Sequence, residues 1–477
     1  MSEIRLTAAW VAAAAAGTIV AGDKAREFHG VSIDTRTIAA GELFIAIRGE
    51  RFDGADFAAG AIDAGAAGVI VPPSATALAE RAAKAFAERS SGDRPVVIEV
   101  DDTTVALQAI AHAVRRESGT KVVAITGSAG KTTTKEVTSE FLESRYRVVR
   151  NRGNFNNHIG LPLSLIDLRQ QPEIAVVELG MNHAGEISTL VRVAEPDIRV
   201  WTNVGEAHLG FFASVEAIAD AKAEIFEGAT PSTVLVANAD DPLIRARLPR
   251  FAGRVLRFGI EREAEVRATS VVDRGIEGTS AQVATPRGVV DITTPLVGRG
   301  NLANVLAATA VALECEVPLA TIAERAAKLR PASHRGEIAR LAGGVTVIDD
   351  SYNANPTAMK RALDVLASAD ASRRIAVLGE MLELGDRAPD LHADVGRFVA
   401  TRRVDLLFAV GAAPAAALAG AAIEAGMSHD RVRHLATSDA AADAVAAVVQ
   451  RGDVVLVKGS RGVKTDRVVD RLKAERS

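Results

Sequence analysis

The residues between Val122 and Thr134 combine a β-branched run, a glycine-rich turn and a lysine–threonine pair. The turn has the pattern G-x-x-G-K-T-T, formed by Gly127, Ser128, Ala129, Gly130, Lys131, Thr132 and Thr133. Small residues let backbone N–H groups close around phosphate oxygens, while the positive end of a following helix points at them. In such a loop the lysine lies on the outer phosphates and the threonine hydroxyl on Mg²⁺. The segment therefore predicts a nucleoside triphosphate site, although Ile125 stands where the longer G-x-x-x-x-G-K-[ST] motif has its first glycine.

Polar residues also follow apolar runs further along the chain. Glu178 ends the run 174–177, Asn203 follows 199–202, and Asn238 follows 234–236 with one alanine between. Continuous apolar strands alternating with helical segments indicate a parallel sheet, and ligands bind at the carboxyl ends of its strands. Glu178 is therefore a candidate ligand of the magnesium ion that accompanies the nucleotide. The alternative is a glutamate that caps a helix or forms a salt bridge.

Two further residues carry chemistry only in combination. His208 lies after the strand that leads into Asn203, and Lys222 follows fourteen positions later. A single histidine is more often a packing or surface residue than a metal ligand. The helix around Lys222 has Ile218, Ile225 and Phe226 as its apolar positions, so local sequence favours a solvated lysine.

Composition limits the class of protein. The 477 residues suggest several domains, and 48% hydrophobic with 24% charged residues is typical of a soluble globular chain. A net charge of −4 gives no general attraction to nucleic acid or an anionic membrane. The uncharged segment 6–22 resembles a secretory signal, but its alanine-rich core favours a helix capped by Thr7 and ended by Gly17. With a single cysteine, Cys315, the sequence predicts a cytoplasmic protein.

The pattern of strands and helices predicts an α/β fold with three domains. These are a small α/β domain over 1–115, a central P-loop-type parallel-sheet domain over 116–330, and a Rossmann-like open-sheet domain over 331–477. Within the central domain, residues 254–297 are predicted to form an antiparallel insertion with a turn at 286–288. The third domain shows four apolar runs, and the absence of a G-x-G-x-x-G sequence after any of them argues against dinucleotide binding.

These features together resemble the Mur ligase family along the whole chain. The central motifs are the triple-threonine loop, the Glu178 strand end, the spacing from His208 to Lys222, and Gly298–Ala308, where Gly300 replaces the family's histidine. The other motifs are distributed over both ends of the chain: Asp34–Arg36, Gly41–Phe44, Asn154–Pro162, Ser333–Glu337, Asp349–Pro356 and Lys458–Arg461. Thr35 stands where the family usually has serine, a change that keeps the hydroxyl.

The resemblance implies a role for each matching residue. The loop from Gly127 to Thr133 would hold the ATP phosphates, Asn301 the adenine, Asp350 the ribose, and Arg335 the γ-phosphate. Thr132 and Glu178 would bind one Mg²⁺, and His208 with a carbamylated Lys222 a second. Lys131, His208, Lys222 and Arg335 would thus be the catalytic residues. The substrate-binding residues would be Asp34, Thr35, Arg36, Arg48, Asn156, Asn157, Asn353, Asn355 and Arg461, of which Arg36 and its neighbours receive the uridine nucleotide.

The implied activity is an ATP-dependent amide ligase of peptidoglycan precursor synthesis. It would join D-alanyl-D-alanine to UDP-N-acetylmuramoyl-tripeptide through an acyl phosphate, acting as a monomer without nucleic-acid or membrane partners. Alternatives are the ligase that adds the third residue, which typically has histidine at the position of Asn355, and a folylpolyglutamate-synthase-like ligase. A P-loop GTPase or ATPase switch and a non-catalytic nucleotide-binding module are further alternatives, but no Asn-Lys-x-Asp guanine-reading element follows any predicted strand.

Overall fold

The computed structural model describes residues 3–90, 93–151, 153, 155–207 and 209–476. The chain divides into two compact units, each formed by several segments. The first unit comprises Met1–Ala124, Tyr146–Met181 and Gly185–Asp197, and the second comprises Ile125–Arg145, Asn182–Ala184 and Ile198–Ser477. In the described ranges, no helix is both long enough and apolar enough to cross a bilayer.

The elements up to residue 197 alternate between short strands and helices. The strands are β1 Leu6–Thr7, β2 Thr18–Ala21, β3 Glu27–Phe28, β4 Val31–Ser32, β5 Leu43–Ile45, β6 Gly68–Val71, β7 Val96–Glu99, β8 Lys121–Thr126, β9 Val148–Arg150 and β10 Ile174–Glu178. The helices are α1 Ala8–Ala14, α2 Ala58–Asp63, α3 Pro73–Ser90, α4 Thr103–Ser118, α5 Lys131–Leu142, α6 Gly160–Ile166 and α7 Glu186–Ala194.

The first unit contains a five-stranded sheet of order β2-β7-β6-β5-β4. Strands β4 to β7 are parallel, and β2 pairs antiparallel with β7. All four residues of β6 are buried, and Val69 packs with Phe44 and Ile62 in one core beneath α2 and α3. The predicted helix after Thr7 is confirmed as α1, because the Thr7 hydroxyl accepts a hydrogen bond from Trp10 N at 3.2 Å.

The same unit contains the parallel pair β9 and β10, in which Ile174 of β10 pairs with Val148 of β9. The other neighbour of β10 in the sheet is β8. Every residue of β10 is buried. The predicted strand that ends in Glu178 is therefore confirmed.

The central part of the second unit continues the alternation. Its strands are β11 Ile198–Trp201, β12 Val234–Asn238, β13 Arg254–Gly259, β14 Val266–Asp273, β15 Thr279–Thr285 and β16 Gly288–Thr294. Its helices are α8 Val215–Ala223, α9 Pro242–Arg247, α10 Gly298–Glu314 and α11 Leu319–Ala326.

The sheet order here runs from β11 through β16 in chain order. Strands β11 to β14 pair in parallel, and only β14, β15 and β16 form antiparallel pairs. The prediction that all of 254–297 is antiparallel is thus wrong for β13. Helix α9 connects β12 to β13, and such a crossover returns the chain to the same end of the sheet and makes the pair parallel. The predicted turn at 286–288 is confirmed as the β15–β16 connection.

The last part of the second unit forms a separate sheet with its own helices. Its strands are β17 Glu337–Leu341, β18 Val345–Asp350, β19 Arg373–Gly379, β20 Leu406–Val410, β21 Val432–Leu435 and β22 Asp453–Lys458. Its helices are α12 Pro356–Ser368, α13 Ala388–Ala400, α14 Ala413–Glu424, α15 Ser438–Ala446 and α16 Asp466–Glu475.

This sheet has the order β17-β18-β22-β19-β20-β21. Strand β17 is antiparallel to β18, and the other five strands are parallel. Valines of β18, β19 and β22 pack with α15 and α16 in one core. The predicted open parallel sheet is confirmed, and the sequence analysis did not anticipate the edge strands β17 and β21.

Candidate functional site

Two glycines shape the loop between β8 and α5. Gly127 has φ +152° and Gly130 has φ +81°, and Gly130 is the N-terminal cap residue of α5. A Cβ atom at Gly127 would overlap Thr202 Oγ1, and one at Gly130 would overlap Asn304 Oδ1. Both positions therefore require glycine for backbone conformation and for space.

Residues that follow β11 hold this loop from one side. The Asn203 side chain accepts from Ala129 N at 2.9 Å and donates to Ala129 O at 2.8 Å. Thr202 Oγ1 also donates to Ala129 O at 2.8 Å. Gly205 N donates to Ser128 Oγ at 2.9 Å, and Ser128 N donates to the Asn203 carbonyl at 3.0 Å. The loop is thus fixed in shape, as a preformed phosphate site requires.

Helix α5 presents the residues predicted to contact phosphate and metal. Lys131 Nζ donates to the Gly127 carbonyl at 2.8 Å, so the ammonium group lies over the loop. Thr132 is half-buried, whereas Thr133 is buried. The N-terminus of α5, the loop amides and the Lys131 charge together form an arrangement suited to a polyphosphate.

A chain of side chains connects this loop to the start of α10. Asn304 Oδ1 accepts from Thr134 Oγ1 at 3.2 Å, and Asn304 Nδ2 donates to Asn301 Oδ1 at 3.2 Å. Asn301 Nδ2 in turn donates to the Val297 carbonyl at 2.9 Å. Asn301, the residue predicted to face adenine, is therefore connected to the helix that follows the phosphate loop through a single side chain, that of Asn304.

Lys222 on α8 is only 1% exposed. Removal from water by burial, together with the positive charge of Lys131, lowers its pKa well below the usual 10.5. The local-sequence expectation of a solvated lysine is therefore wrong. Lowering the pKa of an amine raises the fraction present as the neutral base, and the neutral base is the form that reacts with CO₂.

Glu178, in the first unit, ends β10 with a side chain that is 1% exposed. Its backbone N–H donates to Asn151 Oδ1 at 3.1 Å, and its Oε2 lies 3.5 Å from Asn156 Nδ2. The predicted substrate-binding Asn156 is thus a neighbour of Glu178. Asn157 instead accepts from Gly160 N at 2.8 Å at the start of α6, so its side chain orders that helix terminus.

The predicted uridine-binding residues lie after β4 and β5 in the first unit. Asp34 accepts from Arg36 Nε at 2.8 Å and from Arg36 N at 3.0 Å, and these bonds lower the pKa of Asp34 to about 2. Thr35 is half-buried, and Arg36 is exposed. Arg48 is exposed, and its Nε lies 3.9 Å from Asp53 Oδ2. Both arginines are open to an anionic ligand.

The predicted residues of the third domain cluster at the ends of β18 and β22. Lys458 is 3% exposed, and its Nζ donates to Asp350 Oδ2 at 2.6 Å and to the Asn353 carbonyl at 3.0 Å. The neighbouring Asp349 binds His334 Nδ1 at 2.8 Å and accepts from Ser351 Oγ at 2.6 Å. Asp350 is thus held in place by a buried cation.

Aromatic and capping contacts position the rest of this cluster. The Arg335 guanidinium lies 4.1 Å from the centre of the Tyr352 ring, and that of Arg461 lies 6.0 Å from the same centre. Asn355 accepts from Ala358 N at 2.8 Å and caps α12, and Asn353 Oδ1 accepts from Ala354 N at 2.8 Å. The structure therefore brings Arg335, Asp350, Asn353 and Arg461 together near the carboxyl ends of β18 and β22.

The sequence analysis missed two residues of the site, and two of the residues that it named are not described by the structure. Thr202 and Asn304 hold the phosphate loop, but the sequence analysis assigned neither of them a role. Both residues lie in motifs that the sequence analysis had noted, and this could have identified them. Thr202 ends the apolar run 199–202, and Asn304 belongs to the asparagine pair of 298–308. His208 and Asn154 lie outside the described residues.

Comparisons with known proteins cover nearly the whole chain. Residues 27–115 match the model of the Mur ligase family, catalytic domain, residues 125–312 match the Mur ligase middle domain, and residues 334–461 match the Mur ligase, glutamate ligase domain. The UDP-N-acetylmuramoyl-tripeptide–D-alanyl-D-alanine ligase of Bacillus subtilis (strain 168) is 36% identical over 449 residues, covering 93% of each chain.

Solved structures agree with this pattern. A crystal structure of MurF from Acinetobacter baumannii matches with a TM-score of 0.86 and 30% identity, covering 99% of this chain and all of that one. The MurF ligase of Thermotoga maritima, solved in complex with ADP, matches with a TM-score of 0.78 and 28% identity, covering 94% of this chain and 97% of that one. The predicted α/β fold with three domains is confirmed, and the boundaries 1–115, 116–330 and 331–477 stay a prediction.

Proposed function

The chain belongs to the Mur ligase family, and from that membership we infer that it joins D-alanyl-D-alanine to UDP-N-acetylmuramoyl-tripeptide with consumption of ATP. The observation that carries this inference is the 36% identity to a ligase of that name over 93% of both chains. The alternatives of third-residue addition and of a folylpolyglutamate-synthase-like ligase are not favoured, because the relatives that match over this length bear the name of the D-alanyl-D-alanine ligase.

The reaction proceeds in two displacements. A terminal carboxylate oxygen of the tripeptide attacks the γ-phosphorus of ATP, and ADP leaves. The amine nitrogen of D-alanyl-D-alanine then attacks the acyl carbon, loses a proton, and expels inorganic phosphate. Negative charge accumulates around the transferred phosphoryl group, so fixed cations and backbone N–H donors lower the barrier.

The second unit supplies the groups suited to that charge. We propose that the Gly127–Thr133 loop and Lys131 hold the phosphates, that Arg335 meets the γ-phosphate, and that Asn301 and Asp350 position the adenosine. Support comes from the rigid loop, from Lys131 lying over it, and from the stacking of Arg335 on Tyr352, which limits the motion of its guanidinium.

The oxygen-rich donor set suits magnesium. We propose that Thr132 and Glu178 hold one Mg²⁺, and that His208 and a carbamylated Lys222 hold a second. Bound magnesium would neutralise the phosphate charge. The burial of the Lys222 amine and its lowered pKa support carbamylation, which would convert the amine into an anionic oxygen ligand.

The remaining assignments concern the other substrates and the setting. We propose that Asp34, Thr35, Arg36 and Arg48 receive the uridine nucleotide, and that Asn156 and Asn157 also bind substrate, beside Glu178. Asn353, Asn355 and Arg461 form the candidate site for the peptide substrates. The protein is proposed to act as a cytoplasmic monomer.

One assay tests the function. Purified protein is incubated with ATP, UDP-N-acetylmuramoyl-tripeptide and D-alanyl-D-alanine, while phosphate release and product mass are followed. We expect one phosphate per amide formed, with a product mass equal to both substrates less one water. ATP hydrolysis without any uridine nucleotide, with no amide product, would refute the proposal. The dipeptide nucleotide with a diamino acid, and a folate with glutamate, serve as control substrate pairs for the two alternatives.

A further inference from the structure

Arg361 on α12 lies across the first turn of α10. A Cβ atom built on Gly300 would lie 3.3 Å from Arg361 Cδ and 3.6 Å from Arg361 Nη1. The Arg361 side chain therefore occupies the space beside α10 that a residue larger than glycine at position 300 would need.

The Arg361 guanidinium makes no hydrogen bond or salt bridge to any residue that the structure describes. Surrounding protein atoms nevertheless lower its pKa from the usual value, and the negative charge of Asp241 acts in the opposite direction. The side chain as a whole is exposed. Arg361 is thus a solvent-exposed cation beside α10, close to Gly300.

Hydrogen bonds connect the helix turn beside Arg361 to the phosphate loop. Gly300 directly precedes Asn301, which is linked through Asn304 to Thr134 of α5. Arg361 therefore lies at the Asn301 end of this hydrogen-bonded chain, away from the loop that is suited to phosphates. A planar guanidinium stacks well on a flat aromatic ring, and a lysine ammonium does not reproduce that geometry.

We propose that the Arg361 guanidinium stacks on the adenine ring of ATP and so determines affinity for the nucleotide base. This inference rests on the proposed function, since it takes ATP as the ligand and Asn301 as its adenine contact. Arg361 belongs to the third domain and Asn301 to the central one. The base would thereby be bound by residues of both α10 and α12.

The test measures Mg·ADP affinity by calorimetry and KM for ATP in the ligase assay. Arg361→Ala should weaken both about five- to twentyfold, as expected for loss of a partly desolvated cation–π contact. The kcat should stay within about twofold of wild type, because an interaction equal in ground and transition states alters KM alone. Arg361→Lys keeps the charge and should lose nearly as much as Arg361→Ala.

Arg397→Ala is the matched control. Arg397 is an exposed arginine on α13, and its Nη2 lies 3.9 Å from Asp394 Oδ1. Its removal should leave KM for ATP unchanged. Wild-type values for Arg361→Ala, or for Arg361→Lys alone, would overturn the stacking proposal. If Arg361→Ala does not fold by circular dichroism, Arg361→Lys decides. A wild-type protein that neither binds ADP nor forms amide refutes the proposed function itself, whereas unchanged variants of an active ligase refute only this inference.

Discussion

Replacing Gly130 by alanine tests the reasoning about the phosphate loop. Its φ of +81° is a left-handed conformation that costs an alanine about 1 kcal/mol. The new methyl group would also overlap Asn304 Oδ1 and displace that side chain. The hydrogen bonds from Thr134 to Asn304 and from Asn304 to Asn301 would then be lost, each worth about 1 kcal/mol net. The free energy of unfolding should therefore fall by about 3 kcal/mol.

Gly228 provides a matched control. Its φ is +63°, and a Cβ there would meet no atom within 4 Å, so Gly228→Ala carries only the backbone cost of about 1 kcal/mol. Urea unfolding followed by the fluorescence of buried Trp201, one residue before Thr202, compares the two variants. Mg·ADP affinity should fall at least about tenfold in Gly130→Ala and stay unchanged in Gly228→Ala. Equal stability of the two variants, or wild-type ADP binding by Gly130→Ala, would refute the reasoning.

Three further predictions concern charge. Lys131→Ala should lower kcat at least about 10²-fold, because the loop loses its cation for the transferred phosphoryl group; a change in KM alone would contradict this role. Lys222→Ala should nearly abolish amide formation, and added formate or acetate should restore part of it by supplying carboxylate oxygens; wild-type activity without added acid would contradict the carbamate. His392 donates from Nδ1 to Ala388 O and accepts from Met381 N, and burial lowers its pKa below 6.5, so stability should fall as pH decreases below about 6.5, where the unfolded chain binds the extra proton. In His392→Gln the pH dependence of urea unfolding over this range should flatten, and an unchanged slope would contradict the assignment.

The phosphate loop was predictable because its signal is local. Glycines, lysine and threonines at fixed spacing within one short segment predict both the turn and the start of α5. The residues that hold the loop could not be assigned in this way. Thr202 and Asn304 reach it from about 75 and 175 positions along the chain, and only the folded arrangement brings them there.

The same distinction applies to Lys222 and to the edge strands. The local sequence predicts that Lys222 lies on a short alanine-rich helix. It does not predict that Lys222 is buried, because burial depends on the distant residues that pack against this helix. Strands β17 and β21 were missed because an edge strand buries few side chains and so lacks a continuous apolar run. By contrast, β19 and β22 are buried along most or all of their length, and their apolar runs predicted them directly.

The position of β22 in its sheet has a consequence for biosynthesis. This strand lies between β18 and β19, yet it is the last of the six to leave the ribosome. Until it is inserted, both β18 and β19 present unpaired N–H and C=O groups along one side, and such open edges pair readily with other chains. A chain that ends after β21 would therefore lack the strand that joins β18 to β19, and both of these strands would be free to pair with other chains. Such a fragment would be a target for chaperones and proteases.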